Sequence, residues 1–336
     1  MKMPQFIQLS QGAGGRQSQS LIRDIFAGTF ENPHIDTEND GARVPWESDR
    51  LVMTTDSYVV DPVFFPGGDI GKLSICGTVN DLAVMGAKPM YISTGFILEE
   101  GFPVSDLQKI VQSMQTTADQ AGVSIITGDT KVVPKGKADG LFINTAGVGS
   151  LITHQEIGAD RADEGDVILL TGCIGNHELA VLSARKQFGL EIQWLSDAAP
   201  LNGMVESLLK LPVMIHAMRD ATRGGVATVL NEIAEASSVE LVVDASLIPV
   251  SESVESACLI LGFEPLYLAN EGVLVVVLPE DQAEAALAEM KKHPCGQAAV
   301  QIGSVKNGKS RVLLKTEIGS HRVLDMRSGE QLPRIC

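Results

Sequence analysis

The sequence predicts a two-domain α/β protein with a flexible C-terminal tail, and three observations carry that expectation. Short β-branched runs alternate with helical periods along most of the chain. Its 336 residues exceed what one hydrophobic core ordinarily serves. The alternation breaks once, in the polar stretch "THQEIGADRADEGD" at 153–166, and then resumes. The expected units are an N-terminal domain over 1–152, a C-terminal α/β domain over 153–317 and a tail over 318–336.

In the first unit, Leu21, Ile22, Ile25 and Phe26 give residues 17–28 a helical period behind the glycines of "GAGG". Residues 31–48 are polar with two prolines and predict a loop. "RLVMTTDSYVV" alternates and is β-branched, so Leu51–Val60 predicts a strand. "PGG" then opens a helix from about Asp69 to Met85, stopped by Gly86 and Pro89. "YISTGFIL" predicts a strand. Pro103 starts a helix with Val104, Leu107, Ile110, Val111, Met114 and Ala118 on one face, and Gly122 ends it. "VSIITGD" and "LFINTAGVGS" predict two more strands.

The second unit opens with a strand at Val167–Leu170 and helices around 176–188 and 200–210. A helix follows "RGG", with Val226, Val229, Leu230 and Ile233 on one face. "VELVVD", "VLVVVLP", "AVQIGSV" and "RVLLK" predict strands, with helices near 251–261 and 280–292. Periodicity fades after Thr316, and nothing in 318–336 predicts a packed element.

A net charge of −16 argues against nucleic acid or an anionic membrane as a bulk electrostatic partner. No segment approaches the roughly 18 continuous apolar residues of a membrane helix, and the start lacks the layout of a signal peptide. Five cysteines without C-x-x-C suit neither a disulfide framework nor a zinc site, and six scattered histidines predict no metal centre. Cys76 and Cys258 lie in apolar helical patterns; Cys173 and Cys295 lie in loops. The fifth cysteine is the last residue, in "LPRIC". A reducing cytoplasm would keep it a free thiol. Prenylation would need it four residues from the end. A terminal thiol of this kind is either incidental or chemically employed.

Five stretches place a glycine or aspartate where a strand ends or a helix begins: "QGAGG", "TTDSYVVDP", "NDLAVMGAKP", "GDTKV" and "RDATRGG". Glycine lets backbone N–H groups approach an oxyanion, and a helix N-terminus adds favourable partial charge. Aspartates supply hard oxygen ligands suited to Mg²⁺. There is no G-x-x-x-x-G-K-[ST], and no G-x-G-x-x-G follows a strand, which excludes a P-loop and disfavours a dinucleotide fold. The spacing by itself reaches a magnesium–phosphate site and no further.

In this order, these stretches resemble the PurM-like, ATP-using superfamily of aminoimidazole ribonucleotide synthetase, selenophosphate synthetase and thiamine-monophosphate kinase. Within it, the chain is similar to the hydrogenase maturation factors of the HypE family, from "LSQGAGG" through "STGFILEEG", "TGDTKVV", "FINTAG", "RDATRGG" and "ANEG" to the terminal "PRIC". One departure stands out: the family's His-Gly-x-Gly-Gly is Gln11–Gly15 here, so any contact owed to that histidine falls to glutamine.

The resemblance implies an N-terminal sheet that forms a dimer barrel, and therefore a homodimer. It implies ATP and Mg²⁺ as cofactors, the carbamoyltransferase HypF as donor partner, and a HypC–HypD scaffold as recipient. It further implies ATP-dependent dehydration of an S-carbamoyl group on Cys336 to a thiocyanate, the source of the cyanide ligand of [NiFe]-hydrogenase iron. Matched motif by motif, Asp56, Asp61, Asp81, Asp129 and Asp220 are candidate magnesium carriers. Gly14, Gly15, Asn80, Asp81, Thr130, Thr222 and Arg223 are candidate nucleotide contacts. Cys336 would carry the substrate, with Glu271 or Lys131 for the proton work. The tail, extended at about 3.3 Å per residue, would span up to ~60 Å. Two alternatives accompany this reading: an enzyme of the same superfamily acting on a free small molecule, and a non-catalytic nucleotide-binding adaptor that tethers partners through its tail.

Overall fold

The computed structural model describes residues 4–11, 15–30, 32–34, 42, 44–46, 50–185, 194–316, 318–326 and 334–336. Helix α1 (Gly15–Leu21) continues as a π-helical turn over Ile22–Ala27, which buries Ile25 and Phe26. Strand β1 (Leu51–Tyr58) leads to a small hairpin, β2 (Phe64–Phe65) and β3 (Gly68–Asp69). Then follow α2 (Ile70–Val84), β4 (Ala87–Glu99), α3 (Val104–Ala121), β5 (Ser124–Val133) and β6 (Leu141–Leu151). The strands form one sheet in the order β1-β6-β4-β5, in which only β4 and β5 run parallel.

Helix α2 starts where the Asp69 carboxylate accepts from the backbone N–H groups of Gly71 and Lys72, satisfying two donors at its first turn. All its residues but Lys72 and Asp81 are buried, the mark of a helix with little solvent face. One side lies on the sheet, where Thr78 and Thr145 hydroxyls meet at 2.5 Å; another reaches the second half of the chain. Gly77 is required here, because a Cβ would stand 2.3 Å from the Tyr58 hydroxyl. Helix α3 is amphipathic and ends at Gly122, whose φ of +69° suits glycine as a left-handed cap.

The second unit contains β7 (Asp166–Leu170), α4 (Asn176–Arg185), α5 (Asn202–Leu209), β8 (Ala217–Asp220) and α6 (Gly225–Ala236). It continues with β9 (Glu240–Asp244), α7 (Glu252–Leu261), β10 (Leu274–Pro279), α8 (Ala283–Met290), β11 (Val300–Lys306), β12 (Arg311–Lys315) and β13 (His321–Val323). These strands order β13-β12-β9-β11-β7-β10-β8. Every residue of β7 is buried, since α6 packs on one face of the sheet and α5 with α8 on the other.

The fold class is the expected one, with three differences. The four-residue edge strand β8 and the β2–β3 hairpin are too short for a periodic signal. Residues 321–323 are not tail: β13 pairs with β12, and Leu324 is fully buried and donates its N–H to Val312 O at 2.9 Å. A sheet edge recruits such a segment through its open backbone groups, which apolar periodicity does not record. Among the described residues, no helix is long and apolar enough to cross a membrane.

Candidate active site

The site lies where the end of β1, the last turns of α2, the end of β8 and the loop at 270–272 meet. In β1, Asp56 shares a face with Thr54, whose hydroxyl donates to Asp81 Oδ2 at 2.8 Å. That face looks onto α2. Burial raises the Asp81 pKa, and the Asp56 charge adds to the shift. Asp220 closes β8, and burial, with the charges of Asp81 and Asp56, pushes it up to about 7. Glu271 is 3% exposed and its Oε1 has no hydrogen-bond partner among the described residues. Burial, then the charges of Asp220, Asp197 and Asp56, push it well above the usual carboxylate range, and Arg223 opposes them. Thus Asp56, Asp81, Asp220 and Glu271, distant in sequence, form one field of repelling carboxylates.

A strap at 194–201 closes one side. Its Ser196 N–H donates to Pro66 O at 2.8 Å and its Ala199 N–H to Glu271 O at 3.3 Å. Asp197 Oδ1 accepts from Glu271 N at 3.1 Å, while Asp197 Oδ2 has no partner among the described residues. Burial pushes the Asp197 carboxyl up to about 6. A Cβ on Gly272 would lie 1.9 Å from Asp197 O, so only glycine lets the strap sit this close. Asn80 has a different task from the expected nucleotide contact. Its amide donates to Ala199 O at 3.1 Å and accepts from Leu201 N at 2.8 Å, stapling the strap to α2.

The last three residues are docked here. Val59 N donates to Cys336 O and Asp61 N to Arg334 O, both at 3.2 Å, an antiparallel pairing with the chain just beyond β1. Asp61, exposed and followed by a cis peptide bond to Pro62, holds this end through its backbone. Ile335 is 5% exposed within the first unit's core. Burial pushes the Cys336 thiol up to about 12, Glu271 and Asp56 add to the shift, and Arg223 opposes it. The terminal thiol is therefore neutral, packed partly buried against the first unit's core and within the electrostatic reach of Glu271 and Asp56.

Thr222 and Arg223 occupy the turn into α6. There Gly224 and Gly225 have φ of +74° and +61°, and no side chain caps the helix. Backbone N–H groups at such a terminus suit a phosphate. Gly15 opens α1; Gly14 lies outside the described residues.

Asp129, Thr130 and Lys131 stand apart. They lie on β5, separated from β1 by β6 and β4, roughly 14 Å at the usual strand spacing. The register aligns Ser57, Asn144, Gly95 and Asp129 in one row, facing away from α2, whereas Asp56 faces it. Lys131 Nζ pairs with Asp129 Oδ1 at 2.7 Å and holds that carboxyl below its usual range. Thr130, one residue on, points to the core face alongside Phe96. One chain does not gather all five aspartates.

Among the described residues, no three His, Cys, Asp or Glu side chains stand close enough to hold a metal ion unaided. The chemistry of the cluster nevertheless fits Mg²⁺: hard oxygen donors, mutually repelling, beside a phosphate-suited helix terminus.

Sequence reasoning missed His177, Ser196, Asp197 and Arg185. His177 is fully buried near the start of α4, and burial lowers its pKa to about 4. Its Nε2 lies 3.1 Å from Ile335 O, and Arg185 Nη2 donates to Arg334 O at 2.7 Å. No metal spacing marks "NHELAVLSAR", and only the docked tail reveals what these residues face.

The family models for AIR synthase related protein match this chain at residues 38–151, the N-terminal domain, and 163–315, the C-terminal domain. It is 48% identical over 332 residues to carbamoyl dehydratase HypE of Cupriavidus necator, covering 98% of this chain and 95% of that one. The Escherichia coli HypE is 46% identical over 335 residues, with coverage of 98% and 99%. A crystal structure of hydrogenase maturation protein HypE in complex with ATP superposes with a TM-score of 0.93 at 50% identity, covering 98% of this chain and 99% of the other. A HypE–HypF complex gives 0.81 at 47% identity, with coverage of 92% and 100%. Thiamine-monophosphate kinase from Stenotrophomonas maltophilia shares the fold, with a TM-score of 0.68 at 24% identity and coverage of 90% and 97%. With identity of this order over nearly the whole length, both domains matched, and a terminal thiol within the electrostatic reach of Glu271 and Asp56, the chain belongs to the HypE family of carbamoyl dehydratases.

Proposed function

We propose that this chain is an ATP-dependent carbamoyl dehydratase whose substrate is carried on its own Cys336. The observation that carries this reading is the position of the terminal sulfur. The last residue of the chain lies within the electrostatic field of Glu271, Asp56 and Arg223.

An S-carbamoyl group, S–C(=O)NH₂, cannot expel its oxygen as oxide or hydroxide. Transfer of the γ-phosphoryl group to that oxygen yields ADP and S–C(=NH)–O–PO₃²⁻, with one N–H proton lost. Loss of the second proton forms the C≡N bond as the C–O bond breaks, and phosphate leaves. Such transfer is chiefly positioning and charge neutralisation. The α6 terminus with Thr222 and Arg223 orients the phosphates. Asp56, Asp81 and Asp220 would contribute oxygen ligands to a magnesium ion brought in with ATP, which would supply neutralisation of the triphosphate charge. Glu271 takes a nitrogen proton: its raised proton affinity suits a base, and relief of the surrounding repulsion lets it ionise. The strap excludes water from the electrophilic carbon.

HypF is the carbamoyl donor in this reading, the HypC–HypD scaffold receives the cyanide, and a reducing cytoplasm keeps the thiol free. A second copy of the chain covers the open face of the N-terminal sheet. Leu51, Met53 and Ile97 are 54%, 65% and 44% exposed there, an apolar surface that invites burial. Sedimentation of the full chain should report a dimer; a monomer at micromolar concentration would remove this part of the reading.

The central test uses protein carbamoylated by the transferase and then purified. Addition of ATP and magnesium should remove one water from the C-terminal peptide and release one ADP per thiocyanate, read by mass spectrometry and nucleotide assay. Loss of water without ADP, or ADP without loss of water, would defeat the proposal.

A further inference from the structure

We propose that helix α4 is a clamp for the substrate-carrying tail, with His177 as the positioning residue that seats Cys336. The inference rests on the dehydratase reading for its purpose, though not for its geometry. The histidine belongs to a closed chain of hydrogen bonds. Ala198 N donates to Ser196 Oγ at 3.1 Å, Ser196 Oγ lies 2.8 Å from His177 Nδ1, and His177 Nε2 lies 3.1 Å from Ile335 O. A carbonyl oxygen can only accept, so the hydrogen is on Nε2. The ring is neutral, so Nδ1 accepts from the Ser196 hydroxyl, which takes the Ala198 N–H in return. Every polar atom of the chain is satisfied only with the tail in place. Once the tail withdraws, Nε2–H loses this acceptor, leaving the ring edge-on to Phe65 with ring centroids 5.4 Å apart.

The other end of the helix adds a second hold. Arg185 donates through Nη2 to Arg334 O and through Nε to Asp61 O, each at 2.7 Å, tying the tail to the segment that receives it. The buried Ile335 side chain supplies an apolar anchor between these two holds. Arg334 itself has a φ of +56°, a left-handed conformation uncommon for a residue with a side chain. The seated pose is held by α4, by the 59–61 segment and by the Arg334 side chain, which donates through Nε to Val59 O at 2.7 Å and pairs with Asp139. What the clamp recognises is a C-terminal peptide turned at Arg334: two main-chain carbonyls and one apolar penultimate side chain. None of these contacts involves the sulfur, so the same clamp seats the thiol and its carbamoylated form.

The test uses the full chain and three substitutions: His177→Leu, which removes the donor, His177→Gln, whose amide N–H can replace it, and Ile335→Asp, which unseats the tail without altering the helix. Cys336 is alkylated with iodoacetamide at pH 8 and followed on the C-terminal peptide by mass. His177→Leu should label about tenfold faster than wild type or more, Ile335→Asp should do the same, and His177→Gln should return toward the wild-type rate. In single turnover, ATP-dependent loss of water from the carbamoylated tail should fall about tenfold in His177→Leu and recover in His177→Gln, with ATP binding unchanged. Labelling at the wild-type rate in a folded His177→Leu protein would overturn the clamp, as would faster labelling with an unaltered dehydration rate. If wild type labels slowly and the variants fast, yet no sample dehydrates its carbamoyl group, the enzymatic reading fails and the clamp stands.

Discussion

Cys336→Ala will abolish thiocyanate formation while leaving ATP affinity within about twofold of wild type. Alanine keeps the Cys336 carbonyl that accepts from Val59 N and leaves Ile335 free to fill its place in the core, so the tail still docks. The nucleotide contacts proposed at Thr222, Arg223 and the start of α6 belong to other elements and are untouched. What disappears is the atom that bears the substrate, and no side chain nearby replaces it. The expected result is no carbamoyl transfer to the C-terminal peptide by mass, with ordinary ATP binding by calorimetry. Substrate-dependent ATP turnover at the wild-type rate in this variant would instead favour an enzyme acting on a free small molecule.

Glu271→Gln is expected to lower the dehydration rate by about 10²–10⁴-fold, the usual contribution of a positioned general base, or roughly 3–5 kcal/mol in the barrier. Glutamine has nearly the same shape, so strap and loop stay in place. The sign of the pH effect follows from the raised pKa of Glu271 in the folded protein. Folding then favours the protonated form, so the stability this group confers is full below the ordinary carboxyl pKa, near 4.3. It is lost as pH rises toward the raised folded value. Glu271→Gln escapes that loss. It should melt higher than wild type at pH 8 and match it near pH 4, and magnesium–ATP should narrow the gap by offsetting the carboxylate repulsion. A variant with equal or lower melting temperature at pH 8, or an unaltered dehydration rate, would contradict the assignment.

Much of the architecture was legible because burial writes a period into the sequence. Helix α3 shows its stripe of Val104, Leu107, Ile110, Val111, Met114 and Ala118, all buried as expected, and its glycine stop. The β8 strand, "AMRD", is too short to show a period, and β13 is held by backbone pairing with β12, to which side-chain polarity is blind. The motifs in "TTDSYVVDP", "RDATRGG" and "ANEG" marked Asp56, Asp220 and Glu271, which the fold brings within one another's electrostatic reach. They were silent on which side of the sheet Asp129 faces, because strand parity relative to other strands is fixed only by register. Asn80 showed the same limit: its residue type fits a phosphate contact, and its neighbours 119 positions or more away give it another use.

Composition and pattern alone established a folded, acidic, two-unit α/β chain with glycine–aspartate stretches suited to magnesium phosphate and a cysteine in "PRIC". Motif order added the family. Only the tertiary structure decided that the thiol packs against the core of the first unit, and that α4 holds the residues just before it. The reason is physical: a period reports the contact of a segment with the core, whereas the seat of Cys336 depends on hydrogen bonds between residues more than 140 positions apart, such as His177 and Arg185 with the tail. Such partners leave no mark in their own neighbourhoods.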